Sequence, residues 1–239
     1  MTRLLHLDAS PRPGLAGTHQ HGSHTRRLTH HFVSRWRALE PNVEIIYRDI
    51  GATPPQLISV EWIKAAFTPA LNRSESMLAV LAESDMLANE VIQADILVLG
   101  VPLYNFGPPA AFKAWIDSII SMGRTIDYDK KYGTHPYLPF EHYLPLLADR
   151  PRHAVMLSAR GGFDFDPGRP LAAFNHLEPS ARTALQFIGI SGFHNIAIEH
   201  QEEGGEALAT STRNALVRID RLVQRLHDEV TAQQLPHSA

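Results

Sequence analysis

Short apolar runs and amphipathic stretches alternate along this chain, and the alternation predicts its layout. Arg3-Leu4-Leu5-His6-Leu7-Asp8, Val43 to Asp49, Ile96-Leu97-Val98-Leu99, His153-Ala154-Val155-Met156-Leu157 and Phe193 to Glu199 are compact and read as five strands. The run at 96–99 has no polar position, which suits a strand buried on both faces near the centre of a parallel sheet. Helical spacing fills the gaps: Leu28, Phe32, Val33, Trp36 and Leu39; Met77, Leu78, Leu81, Leu87 and Val91; Phe112, Trp115, Ile116, Ile119 and Ile120; Leu185, Phe187 and Ile188; and finally Leu208 to Leu226. Pro41-Asn42 stops the first of these, Ser74 caps the second, and Pro108-Pro109 opens the third, which ends near Gly123. Leu57 to Arg73 is a helical excursion broken by Pro69, and the tail beyond Val230 is expected to fray. Strand and helix in alternation argue for a three-layer α/β fold with a parallel sheet.

Composition narrows the class. With 239 residues, 44% hydrophobic content and a formal charge of −3, the chain is expected to form one globular domain over 1–239. Within it, 124–150 stands out as an insertion carrying Tyr128, Tyr132, Tyr137, Phe140 and Tyr143. An insertion of that kind is usually a lid or a dimer contact. No apolar run nears the roughly 20 residues of a membrane helix, and the first strand is too short for a signal-peptide core, so the expectation is a cytoplasmic protein without a membrane partner. Lys and Arg are scattered rather than striped, which argues against nucleic acid. The absence of cysteine removes disulfides, thiolate nucleophiles and iron–sulfur ligation, so redox chemistry would need a cofactor.

Three stretches carry candidate chemistry. The first strand ends in Ala9-Ser10-Pro11-Arg12-Pro13-Gly14 and leads through a polar loop to Ser23-His24-Thr25 at a helix start. Free N–H groups and hydroxyls there suit a phosphate. After the central strand, Pro102-Leu103-Tyr104-Asn105-Phe106 places two aromatics and an amide where open parallel sheets bind ligands, which suggests a flat, partly polar molecule. After the fourth strand, the bend Ser158-Ala159-Arg160-Gly161-Gly162 frees backbone donors. No G-x-G-x-x-G is present, so a Rossmann dinucleotide fingerprint is absent. His19, His21 and His24 invite a metal reading, yet they lack helix phasing and sit in a loop with Gly17 and Gly22; solvated histidines are expected, and no metal.

The runs Pro102-Leu103-Tyr104-Asn105-Phe106 and Ser158-Ala159-Arg160-Gly161-Gly162 resemble those of the FMN-dependent NADH-azoreductase and NAD(P)H:quinone reductase family, and the likeness spans nearly the whole chain. It implies a flavodoxin-like three-layer sandwich with a five-stranded parallel sheet in the order 2-1-3-4-5. It also implies FMN as cofactor, NAD(P)H as co-substrate, a quinone or azo compound as acceptor, ping-pong hydride chemistry, and a homodimer whose sites lie at the interface. The implied FMN contacts are Ser10, Ser23, His24 and Thr25 for the phosphate, Pro102 to Phe106 along the ring, and Ser158, Ala159, Arg160, Gly161 and Gly162 at its pyrimidine edge. Tyr128 and Phe187 are implied at the substrate and interface, and no side chain is assigned as a catalytic acid or base. Two other readings stay open: a flavodoxin-like electron carrier without NAD(P)H turnover, and a metal-dependent hydrolase built on the loop histidines.

Overall fold

The computed structural model describes residues 1–128 and 143–234. Tyr132, Tyr137 and Phe140 of the insertion lie outside the described residues, as does the side chain of Tyr128. In chain order the elements are β1 (Arg3–Asp8), α1 (His24–Leu39), β2 (Glu44–Asp49), α2 (Val60–Phe67), α3 (Glu75–Gln93), β3 (Ile96–Pro102) and α4 (Ala110–Ile119). Then come β4 (Ile126–Tyr128), β5 (Tyr143–Pro145), β6 (His153–Ala159), α5 (Glu178–Phe187), β7 (Gly192–Ile198) and α6 (Gly205–Gln234).

The main sheet runs β2-β1-β3-β6-β7, all parallel. Counted within that sheet alone, the order is 2-1-3-4-5. Every residue of β3 is buried, and its side chains divide by parity as a pleated strand must. Leu97, Leu99 and Val101 join the core under α3, α4 and α5, while Ile96 and Val98 join the core under α1 and α6. That two-sided burial is why the run at 96–99 contains no polar residue. Trp36 and Trp115 are wholly buried, one in each core layer.

Three local expectations need correction. The insertion opens and closes with an antiparallel pair, Ile126 opposite Pro145 and Tyr128 opposite Tyr143, so its ends are not loop. Phe163 to Gly168, an acidic and aromatic stretch that reads in the sequence as a surface loop, is not simply one, because Phe165 is buried and its carbonyl accepts from Asn175 Nδ2. The last helix extends to Gln234 rather than fraying beyond Val230, since Leu226 and Val230 pack into the α1–α6 core and carry the helix on. Among the described residues no helix is long and apolar enough to cross a membrane.

Parallel register fixes where function can gather. Pro102 of β3 pairs with Ala159 of β6, Ala159 pairs with Ile198 of β7, and Asp8 of β1 pairs with Gly100 of β3. The loops leaving β1, β3, β6 and β7 therefore emerge along one edge of the sheet, on either side of the point between β1 and β3 where the winding reverses.

Candidate functional site

At that edge lies a cleft of about 290 Å³, walled by the four loops. Its first wall is the end of β1 and the start of α1. Ser23 caps α1, its Oγ accepting from the Arg26 N–H at 3.2 Å and sharing a 3.0 Å hydrogen bond with Thr25 Oγ1. The first turn of α1 holds no acidic residue, so its unpaired N–H groups and dipole face the cleft unopposed. Ser10 Oγ accepts from the Arg12 N–H at 3.3 Å. Behind this wall the Arg26 guanidinium donates to Ser10 O at 2.7 Å, Arg12 O at 2.9 Å and both carboxylate oxygens of Asp49 at 2.7 and 2.8 Å. Gly51 is pressed against the same loop; a Cβ there would strike the Ser10 carbonyl.

The second wall is a two-residue turn. Tyr104 and Gly107 exchange N–H···O bonds of 2.9 and 3.0 Å, and Asn105 and Phe106 between them both take positive φ, 46° and 70°. This is the type I′ pattern of tight hairpins. Asn tolerates that conformation, but a bulky Phe in it is strained. Phe106 is 53% exposed and tilts against Phe174 at 5.9 Å, so the strain is not relieved by core burial.

The third wall is the bend after β6. The carbonyls of Arg160, Gly161 and Gly162 accept from the amides of Gln201, Glu202 and His200, while the amides of Gly161 and Gly162 have no acceptor among the described residues. The bend thus offers two free donors from a backbone whose acceptors are already engaged. Arg160 points the other way: its side chain is 0% exposed and donates to Asp166, Glu178 and Glu199 at 2.8–2.9 Å. Ser158 Oγ joins the same network through Glu178 at 2.7 Å.

A family model described as flavodoxin-like fold matches residues 2–223. The chain is 35% identical over 226 residues to an FMN-dependent NADH:quinone oxidoreductase 2 from Colwellia psychrerythraea, covering 95% of this chain and 100% of that one. It is 37% identical over 220 residues to an FMN-dependent NAD(P)H:quinone oxidoreductase 1 from Pseudomonas aeruginosa, covering 92% of this chain and 97% of the relative. The chain belongs to the FMN-dependent NAD(P)H:quinone oxidoreductase family. An azoreductase structure from Bacillus anthracis superposes with a TM-score of 0.78 at 21% identity, covering 94% of this chain and 100% of the other; this likeness speaks to fold.

In this member of the quinone oxidoreductase family, the structure brings Ser10, Ser23, His24, Thr25, Pro102, Leu103, Tyr104, Asn105, Ala159 and Gly161 to one cleft. Phe106, Ser158, Arg160 and Gly162 do not line it: Phe106 leans outward, Gly162 packs behind on Phe165, and the Ser158 and Arg160 side chains turn into the buried network. Phe187 stands elsewhere, with Trp62, Phe67 and Tyr143 around a separate apolar hollow of about 270 Å³. Sequence reasoning missed Arg12, Gln201 and Glu202 as lining residues. Arg12 was visible as the one cation in the loop after Ser10; Gln201 and Glu202 reach the cleft only through the register of β7. Of the loop histidines, His19 accepts from the Leu15 N–H at 3.0 Å, and among the described residues no three His, Asp or Glu side chains are grouped to hold a metal.

Proposed function

We propose that this chain is an FMN-dependent oxidoreductase that moves two electrons from NAD(P)H to a quinone or azo compound. The observation that carries the reading is the meeting, in one cleft, of a hydroxyl-capped helix start, a strained aromatic-amide turn and a bend with free amides. These donors match the two ends of FMN. The α1 amides with Ser10, Ser23 and Thr25 would hold its phosphate; Leu103, Tyr104 and Asn105 would lie along the ring; and the Gly161 amide would serve the carbonyl edge of the pyrimidine.

When bound, FMN supplies the acceptor for a hydride from NAD(P)H and the donor of two electrons to the second substrate, taken in ping-pong order. The chain's own part is placement. The type I′ turn fixes the tilt of Tyr104 and Asn105, and the Gly161 amide concentrates positive potential where negative charge would gather. No side chain is needed as an acid or base for hydride transfer. Leu57, Val60, Ile63, Phe67 and Leu71 are all exposed, and Phe67 borders the apolar hollow that holds Phe187. That surface supports a homodimer. A cytoplasmic location is part of the same proposal.

The test is the absorption spectrum of the purified protein, followed by NADH consumption with menadione as acceptor. Flavin bands and steady NADH loss are expected. Absence of any flavin binding would overturn the reading, and bound FMN with no NADH consumed would recast the chain as an electron carrier.

A further inference from the structure

β7 ends the main sheet. It pairs with β6 on one side, and among the described residues no strand pairs with it on the other. Parallel pairing turns the backbone groups of alternate residues to opposite sides. Ile198 O accepts from the Arg160 N–H on the β6 side, so Phe193, Asn195 and Ala197 direct theirs outward. The bond from Arg218 Nη2 to Asn195 O at 3.1 Å agrees, and among the described residues nothing else caps this edge.

Between the edge and α6 runs a groove of about 370 Å³. Ile196 and Leu222 are buried in its floor, while Arg218, Arg221 and Arg225 stand exposed along its α6 wall. These three lie at i, i+3 and i+7, so one helix face gathers charges that the chain spreads among apolar and acidic neighbours. Arg182, stacked over the Phe193 ring at 4.6 Å, adds a fourth guanidinium. Little offsets them. Asp220 is engaged by His31 and Arg35 at 2.9 and 3.0 Å, Asp228 accepts from Gln224 at 3.0 Å, and Glu229 comes no nearer to Arg225 than 3.9 Å. Arg182 and Arg221 have no carboxylate partner among the described residues. In a chain whose formal charge is −3, such a concentration of unbalanced cations calls for an acidic occupant.

Shape narrows the occupant. Arg218 and Arg225 are about 10 Å apart along the helix axis, too far for one small anion to bridge. Carboxylates on alternate residues of an extended chain recur every ~7 Å and match that span. The uncapped backbone of β7 makes the same demand, because a peptide strand supplies a ladder of donors and acceptors. Arg218 fills the Asn195 carbonyl that an incoming N–H would use, and a carboxylate would draw it away and open the ladder.

We propose that this groove docks an extended acidic segment of a partner protein, laid along the free edge of β7 with alternate carboxylates on Arg218, Arg221 and Arg225. The groove shares no lining residue with the cleft at the other end of the strand, so the proposal stands apart from the flavin reading.

The probe is a short fluorescein-labelled peptide alternating Glu with Val, titrated into the full chain in the presence of FMN at low salt and followed by anisotropy. Controls are the same peptide with Gln for Glu and two versions N-methylated on one or the other alternate set of residues. Protein variants are Arg221→Glu and Arg225→Glu, both at exposed positions, with circular dichroism checking that they fold. The Glu peptide is expected to bind, the Gln peptide to fail, and each variant to weaken binding by at least about tenfold. One N-methylated set should abolish binding and the other preserve it, because an added strand pairs through one set only. No binding of the Glu peptide, or equal binding by folded variants, would overturn the proposal. So would binding that survives both methylations, which would reduce the groove to a charged surface. Capture of a single-stranded oligonucleotide or of phosphatidylglycerol vesicles through the same arginines, with the peptide ignored, would assign the groove to a different partner and overturn it as well.

Discussion

Arg26 and Arg160 are buried arginines standing behind opposite walls of the cleft, and they support those walls by different means. Arg26, 8% exposed, donates to the carbonyls of Ser10 and Arg12, so it grips the backbone of the loop itself. Arg160, 0% exposed, donates to no carbonyl; it gathers Asp166, Glu178 and Glu199, three carboxylates from three separate segments. One wall is tied directly and the other is held by charge balance. The contrast predicts that the Arg160 network matters more for stability and the Arg26 network more for the ligand.

The largest effect is expected at Arg160. Arg160→Ala would leave Glu178 as an uncompensated buried charge, with Glu199 partly and Asp166 openly in reach of water, a situation that costs about 3–5 kcal/mol. Urea unfolding monitored by circular dichroism measures it. A loss below about 1 kcal/mol would mean that water reaches these carboxylates and that the charge-balance account is wrong.

Arg26→Ala is the complementary break. Asp49 is partly open to solvent and Asp8 keeps Tyr47 and Thr29 as donors, so the stability cost should fall to about 2–3 kcal/mol. The Ser10 to Arg12 loop would lose its anchor, and FMN affinity should drop about tenfold while riboflavin, which lacks the phosphate, binds as before. Equal losses for both flavins would show that Arg26 shapes the whole cleft rather than its phosphate end.

Gly161→Ala probes the other wall without touching its charges. The added Cβ would run into the Glu202 side chain, a flexible group that can swing into the cleft. Folding should be nearly unaffected, within about 0.5 kcal/mol, while FMN binding weakens severalfold. An unfolded Gly161→Ala protein would place the rigidity of this wall in the glycine rather than in the arginine behind it.

The same contrast explains what could be read in the sequence. The five strands and their helices were legible because apolar period is a local property, Ser23 because helix capping is local too, and Tyr104 and Asn105 because they directly follow the central strand. The supporting network was not. Arg160 meets Glu178 at 18 residues' separation and Glu199 at 39, and Arg26 meets Asp49 at 23, so nothing near either arginine in sequence announces its partners. Arg160 reads as a ligand contact because its neighbours Gly161 and Gly162 offer donors, yet its own side chain faces the opposite way. Phe165 sits in an acidic stretch that looks solvated, and only the folded loop, with Glu199 accepting its amide N–H at 3.3 Å, makes it core.

The acid sensitivity is located away from both arginine networks. Burial pushes the Asp49 carboxyl up, but hydrogen bonds from Arg26 and the Ala52 amide more than offset this and hold it below its ordinary 3.8; its stabilising effect is lost only as pH falls beneath that value. At the far end of the sheet, His153 and His194 stack at 5.5 Å. Burial, the neighbouring His153, and Arg225 and Arg182 push His194 down to about 4, against a smaller opposing pull from Glu229; burial and Arg225 lower His153 against the same carboxylate. The unfolded chain takes up these protons near 6.5 and the folded chain does not, so stability falls as pH drops from 6.5 towards 4. Discounted for partial exposure, the His194 share is about 1–2 kcal/mol. His24, also lowered, adds to the same slope. His194→Gln should flatten the dependence of unfolding free energy on pH between 6.5 and 4, whereas Arg160→Ala, which leaves the buried Glu178 carboxylate to take up a proton as pH falls, should lower the curve most at neutral pH and less towards 4. A slope that survives His194→Gln undiminished would move the acid-sensitive group back towards the cleft.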